Sequence, residues 1–471
     1  MMIGTMPIPA PVRSSPLLRP RILLLAIVLI GLAIRVAAST GSPWLDELWS
    51  WRMAMAGDVL AAHDNNHFLN TIWLWLVGDY RAPLIWRLPA ILSGGVTIVL
   101  AWMILKRLGR LHALVGAMLV AIAYPLVVYQ SEARGYGLML ACLLGCMEIQ
   151  LRLLESRARD KSVRALRLGM AICAGVGVIS HLSLVIAYPL VIVAAVVVRP
   201  VGRAVVSVIW DHVLAMALIL TWFFAFAWHM SIGGGPELDV ATVLTEAAST
   251  MTGAEGTIAV IMLPLLVLVS MLLTRRREPR VIGMLGVMAV VYPLLVLLAK
   301  DRLLYVRYFL PAMLPATLLI GAGIGEALRR PRLRVAMGVL TIALVTLHAM
   351  RDFELITVGR DRHDVALRDI ATQHPSLTTI GSDADFQLRT ITMYHDGDYQ
   401  PVGATVVVPG ESRPDWFVVM HETADAQRVV GSVRYDRHGL YRAPGLSGIT
   451  WTVYRRHDIS AQIDSAHARI E

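Results

Sequence analysis

Apolar runs close to twenty residues long recur along this chain, and that recurrence settles most of what it can fold into. A helix needs about twenty mostly apolar residues to cross the ~30 Å hydrocarbon layer of a bilayer. Runs of that kind fall near 22–38, 88–105, 111–129, 137–154, 166–180, 182–198, 206–229, 257–274, 281–299, 309–328 and 333–350. The expectation is an α-helical polytopic membrane protein of about eleven spans. Composition agrees: of 471 residues 56% are hydrophobic and 16% charged, against roughly 25% charged in soluble domains. The first run could pass for a signal peptide ending near Ala37-Ala38-Ser39, but Arg35 interrupts it and many spans follow, so an uncleaved first span is the better reading. Cys142, Cys146 and Cys173 all lie inside apolar runs, which leaves them as small packing residues and offers no disulfide framework.

The net charge of +9 would suggest nucleic acid in a soluble protein. Here the basic residues sit in short loops between runs, and every second loop is basic: Lys106, Arg107 and Arg110, then Arg152 to Arg167, then Arg199 and Arg203, then Arg275 to Arg280, then Arg329 to Arg334. Basic loops stay in the cytosol. Nucleic-acid binding is therefore not expected, and membrane lipid is the first partner. The implied organisation is a cytoplasmic tail over 1–21, a transmembrane domain over 22–350 with a long first outer loop over 39–87, and an extracytoplasmic domain over 351–471. In that last part turn residues rise and short β-like runs appear at 377–380, 404–408, 416–420 and 449–454, after a helical stretch at 363–372. A small α/β domain, lacking cysteine and so dependent on its own core, is expected there. A second outer loop, 230–256, should carry a short interfacial helix.

The outer loops hold the chemistry. Asp46 and Glu47 follow the first span among Trp44, Trp49 and Trp51, at the depth where aromatic residues mark the bilayer interface. Taken alone they read as solvated loop acids. Yet Tyr129-Gln-Ser-Glu-Ala-Arg-Gly-Tyr136 and Lys300-Asp-Arg-Leu-Leu-Tyr-Val-Arg-Tyr308 place Arg134, Lys300, Arg302 and Arg307 on the side that should be poor in base. Phosphate binding would explain them; local pairing of Glu132 with Arg134, or of Asp301 with its neighbours, is the plainer alternative. Glu148, within the fourth span, reads as a contact to a partner helix.

Together these features resemble the GT-C superfamily of membrane glycosyltransferases, in its bacterial protein-mannosyltransferase and aminoarabinose-transferase branch. The matching pieces, in order over about 20–330, are Trp-Leu-Asp-Glu at 44–47, His67-Phe-Leu-Asn70 before a short apolar helix, Arg87-Leu-Pro89, the 129–136 segment and Arg307-Tyr-Phe-Leu-Pro311. One departure stands out: the usual His-Pro-Pro is Asn66-His67-Phe68 here, which keeps the histidine and drops the rigid prolines. The resemblance implies transfer of a sugar from a polyprenyl-phosphate-linked donor to a hydroxyl of a glycan, lipid or protein acceptor, at the periplasmic face of a bacterial plasma membrane. It makes Asp46 and Glu47 the catalytic pair, with Asp46 the base. Arg134, Lys300, Arg302, Arg307 and Tyr308 become the donor-phosphate set, and His67, Glu132, Tyr136 and His181 line the acceptor side or the cavity. Several roles stay open at this point. Tyr136 and Tyr308 could bind phosphate or anchor the interface. His181 could line the cavity or pack. Glu47 could meet an acceptor, an arginine or, with His67, the divalent ion that some relatives use. A flippase for a lipid-linked saccharide is the leading alternative; it would need polar groups along the bundle interior, and the ionisable residues gather at the outer loops instead.

Overall fold

The computed structural model describes residues 20–156, 162–231, 238–299, 304–373, 379–395, 405–406, 413–443, 445–446 and 448–458. The chain starts with α1 (Pro20–Ala38), then α2 (Leu45–Met55), α3 (Phe68–Val77), α4 (Pro83–Leu105), α5 (Arg110–Ile122), α6 (Tyr124–Tyr129) and α7 (Tyr136–Glu155). There follow α8 (Ser162–Ser180), α9 (Ser183–Val197), α10 (Val205–Trp210), α11 (Val213–Ala225), α12 (Val240–Thr252), α13 (Gly256–Thr274), α14 (Pro279–Ala299), α15 (Leu310–Leu328) and α16 (Arg334–Val358). Seven helices among the described residues are long and apolar enough to cross a membrane, and four shorter apolar helices accompany them. The protein is a multi-pass membrane protein of helical build.

Proline and arginine explain two irregularities. The 111–129 run is broken between α5 and α6, next to Pro125. A proline has no N–H to give the carbonyl four residues back, here that of Ala121. The buried Arg35 of α1 donates to that carbonyl (2.8 Å) and to the Val120 carbonyl (3.1 Å), and its Nε bonds Gln130 Oε1 (3.0 Å). The one charge in the first apolar run thus satisfies a break in another helix. Likewise Pro89 inside α4 frees the Ile85 carbonyl, which accepts from Trp73 Nε1 at 2.9 Å.

Beyond α16 lie α17 (His363–Gln373), β1 (Thr379–Ser382), α18 (Asp385–His395), β2 (Thr405–Val406), β3 (Trp416–Val419), β4 (Gln427–Val430), β5 (Val433–Tyr441) and β6 (Trp451–Arg456). They build one sheet of order β2-β1-β3-β6-β5-β4, parallel in β2-β1-β3 and antiparallel in the rest. The expected domain is there, with two strands and α18 that the sequence did not announce. Part of its core is shared. One apolar cluster joins Ile380, Leu388, Trp416 and Trp451 of this domain to Leu48 and Trp51 of α2, Leu74 of α3 and Trp86 of α4. The sheet domain and the long first loop therefore fold as one body at one end of the bundle, called here the sheet-domain end. The second loop carries α12, capped by Asp239, whose side chain accepts from Thr242 N.

Candidate active site

At the sheet-domain end the Asp46-Glu47 pair begins a helix, not an extended segment. Trp44 is the N-cap of α2, and Glu47 at the third helical position takes the Trp44 N–H (2.7 Å), half of a capping box. Successive helical residues point about 100° apart, so the two carboxylates part company. Glu47 turns inward and is fully buried, where Arg87 grips it with two bonds (Nε–Oε1 2.8 Å, Nη2–Oε2 2.6 Å) and the Ala133 N–H donates to it (2.5 Å). Burial works to raise this carboxyl, but the Arg87 charge and the hydrogen bonds outweigh it, and its pKa ends below the ordinary value. Arg87 also holds the carbonyls of Ser39, Gly41 and Ser42. Of the roles left open for Glu47, the structure displays the arginine contact.

Asp46 turns to the mouth of the bundle. Its Oδ2 pairs with Arg134 Nη1 and lies 3.6 Å from Arg307 Nη1. Asn65, not anticipated from the sequence, bridges the pair: its Oδ1 accepts from Arg134 Nη2 (2.6 Å), and its Nδ2 lies 3.5 Å from Asp46 Oδ1. The carboxylate is the more open partner, 18% exposed against 2% for the Arg134 side chain. Arg307 comes from the 3-10 turn Val306–Phe309 that leads into α15, with its guanidinium 4.3 Å from the Tyr305 ring centroid and 5.7 Å from that of Tyr308. Three loops distant in sequence thus meet at one carboxylate. Lys300 and Arg302 lie outside the described residues.

Beneath Arg134 lies a floor of rings. Arg134 Nε donates to His67 Nε2 (2.9 Å), which leaves His67 Nδ1 to carry the proton toward the Ser180 carbonyl (3.3 Å). His181 stacks on His67 (4.9 Å between centroids), and Tyr136 lies 5.3 Å from His67 and 4.4 Å from His181. Burial first, then the nearby arginines, push both imidazoles well below their ordinary pKa. A neutral histidine accepting from a guanidinium is an orienting group. Gly135 sits in the tightest spot: a Cβ there would come 1.8 Å from the Ser180 carbonyl oxygen. Asn66, where the family pattern differs, does the bracing itself. Its amide donates to the carbonyls of Val59 (3.0 Å) and Ala61 (2.8 Å) and its Oδ1 accepts from Thr71 (2.7 Å).

Two of the alternatives left open by the sequence do not appear in this arrangement. Glu132 does not pair with Arg134; it is buried and its partner is Arg360, from the turn after α16, a residue that the sequence reading passed over. Glu47 and His67 do not offer a metal site as arranged. Both carboxylate oxygens and both ring nitrogens are taken, and no group of three or more His, Cys, Asp or Glu suited to an ion occurs among the described residues.

No family model matches the chain, and no curated protein matches it. Solved structures do. The chain is similar to ArnT from Cupriavidus metallidurans in the apo state, at TM-score 0.56 and 14% identity over 92% of this chain and 97% of that one. The same enzyme bound to undecaprenyl phosphate aligns at TM-score 0.52 and 15% identity with the same coverage. The Archaeoglobus fulgidus oligosaccharyltransferase in the apo form aligns at TM-score 0.50 and 12% identity, over 79% of this chain and 64% of that one. ArnT is an aminoarabinose transferase, and both neighbours are GT-C membrane glycosyltransferases. From the first span to the small sheet domain, this chain shares the fold of ArnT.

Proposed function

We propose that the protein is a glycosyltransferase that moves a sugar from a polyprenyl-phosphate-linked donor to an acceptor hydroxyl, with inversion, at the periplasmic face of a bacterial plasma membrane. The observation that carries this reading is the meeting of Asp46 with Arg134 and Arg307: one partly open carboxylate between a buried guanidinium and a second one as open as itself. Such a cluster has one positive charge in excess, and a lipid phosphate would supply the missing anion. The ArnT structure with undecaprenyl phosphate, on the same fold, supports that class of donor. The placement of basic loops at the far end of the bundle supports the sidedness.

The chemistry follows from the charges. As the bond between the anomeric carbon and the phosphate oxygen breaks, both electrons go to that oxygen, and Arg134 and Arg307 stabilise the growing negative charge. In the donor-free arrangement these arginines are shared with Asp46. An arriving phosphate competes for them and frees the carboxylate. Asp46 then accepts the proton of the acceptor hydroxyl as its oxygen attacks from the opposite face of the sugar. Base and leaving group sit on opposite sides, so one carboxylate suffices and the anomeric configuration inverts. Glu47 takes no proton in this scheme; it holds the Trp44 and Ala133 segments that carry Asp46 and Arg134.

The decisive assay uses the purified full chain in lipid nanodiscs with radiolabelled polyprenyl-phosphate sugars and envelope extracts as acceptor. Transfer to product that Asp46→Asn abolishes is the expected result. Movement of intact lipid-linked saccharide across vesicles, with no glycosidic product, would replace this reading with transport. Full transfer by Asp46→Asn would remove Asp46 as base.

A further inference from the structure

We infer that the turn at residues 360–363 is a clasp through which the sheet domain sets the positions of Asp46 and Arg134, with Arg360 as its positioning residue. This rests on the glycosyltransferase reading for its effect on turnover, and on geometry alone for its effect on the two loops.

The turn is local in origin. Gly359 ends α16 with φ +82°, a conformation that favours glycine, and redirects the chain toward the sheet. Two residues of the turn are fixed to that sheet. The Arg360 carbonyl accepts from Ile449 N (3.0 Å), and Asp361 Oδ1 accepts from Trp451 Nε1 (2.7 Å). From this anchored base two side chains reach into the loops of the site. The His363 Nε2–H donates to the Pro43 carbonyl (2.9 Å), and its Nδ1 shares a hydrogen bond with Nε2 of His395 in α18 (2.9 Å). Burial first, then the neighbouring His363, press His395 down to about 3.

Arg360 reaches further. It is buried, pairs with Glu132, and lies 4.3 Å from the Trp44 ring centroid and 5.4 Å from that of Tyr129. Arg134 lies 5.5 Å from the same Trp44 ring. Trp44 is thus touched by the clasp and by the phosphate-side arginine, and it caps the helix that begins with Asp46. Glu132 is two residues from Arg134 and buried. Without Arg360 its carboxylate would be a buried charge with no partner, which is strongly destabilising. Arg134, two positions along the chain, is the arginine whose movement would disturb the site, and losing Arg360 is expected to draw it away from Asp46. That consequence separates positioning from bulk packing, because removing the Glu132 charge should cancel it.

The test compares wild type, Arg360→Met, Arg360→Lys and the double variant Glu132→Gln/Arg360→Met, each as full chain in nanodiscs. Hydrogen exchange reads the Trp44 and Ala133 amides, which bond Glu47, with the β3–β6 amides as the folding control. Turnover is read with a polyprenyl-phosphate sugar. Arg360→Met is expected to raise exchange at both loop amides by about tenfold or more and to lower kcat with little change in KM. Arg360→Lys should keep most of the protection, and the double variant should return to within about threefold of wild type. Unchanged loop exchange in Arg360→Met, or a double variant as impaired as the single one, overturns the clasp. Exchange decides this even if no sugar is transferred, in which case the glycosyltransferase reading fails and the clasp does not.

Discussion

The two ends of the bundle use the same residue types in opposite arrangements. At the far end, Glu148 is paired with Arg107 and Arg152, Asp211 with Arg167 and Arg203, and Glu326 with Arg277 and Arg330. There the carboxylate is hidden and an arginine faces water: Glu148 is 4% exposed and Arg152 46%, Asp211 0% and Arg167 37%, Glu326 6% and Arg277 42%. At the sheet-domain end, Arg134 is hidden and Asp46 is the open partner. The far-end clusters hold helix ends together, with surplus positive charge hydrated. At the mouth one of the two guanidinium groups, Arg134, is hidden from water, and a ligand anion can answer the surplus charge it shares with Arg307. Glu47 with Arg87 and Glu132 with Arg360 sharpen the rule: both partners of each pair are hidden, and these locks stand beside the open carboxylate.

The comparison breaks most visibly at Asp46 and Arg134. Arg134→Met should lower transfer by about a thousandfold or more, on the scale of lost charge stabilisation in other enzymes, measured with saturating acceptor. If Arg134→Met is as active as wild type, the mouth is only another lock. Next in size is Glu47→Gln, which strands Arg87. Breaking a buried pair costs about 3–5 kcal/mol, so thermal unfolding in detergent should shift down markedly. Because the folded-state pKa of Glu47 is depressed, its contribution is present above the ordinary carboxyl range. It is lost as pH falls through the folded value, and Glu47→Gln should flatten that acid limb of the stability curve.

Smaller effects are expected from Asp211→Asn, which should lower stability by about 1–3 kcal/mol while kcat and KM stay within a factor of about two of wild type. A large loss of turnover at normal stability would erase the distinction between the ends. The mildest change is His67→Gln, whose side-chain oxygen can still accept from Arg134; transfer should fall by less than about tenfold. With His67 neutral far below its ordinary value, its titration should leave no inflection in the rate profile between about pH 6 and 7. An inflection there that disappears in His67→Gln would overturn the neutral-acceptor role.

Much of this was legible in the sequence because membrane helices announce themselves by length. The expected runs and observed helices agree within a few residues for α1, α7, α9, α13 and α15. The first run's odd arginine, the 129–136 segment and Arg307 were also visible as charges out of place. What could not be read was contact across distance. Arg360 and Glu132 are 228 positions apart, and nothing local marks either as the other's partner. Nothing in the sequence singles out Asn65, and Arg87 reads only as part of a motif, with no sign that Glu47 turns inward beside it. The sheet domain reads as separate because charges and turn residues rise there and no run could span a bilayer. That α2, α3 and α4 contribute to one of its apolar clusters is a property of docking, not of periodicity.

Gly135 makes a last point about reading alignments of proteins with this mouth. With φ of −74° it needs no special backbone, yet a methyl group would sit 1.8 Å from the Ser180 oxygen. Invariance at this position would look like a signature of chemistry beside Arg134, when its origin is simply the absence of room. A saturation scan should find it among the least permissive positions of the segment, and a rescuing second-site change should arise at the α8–α9 corner, in residues that never touch a substrate.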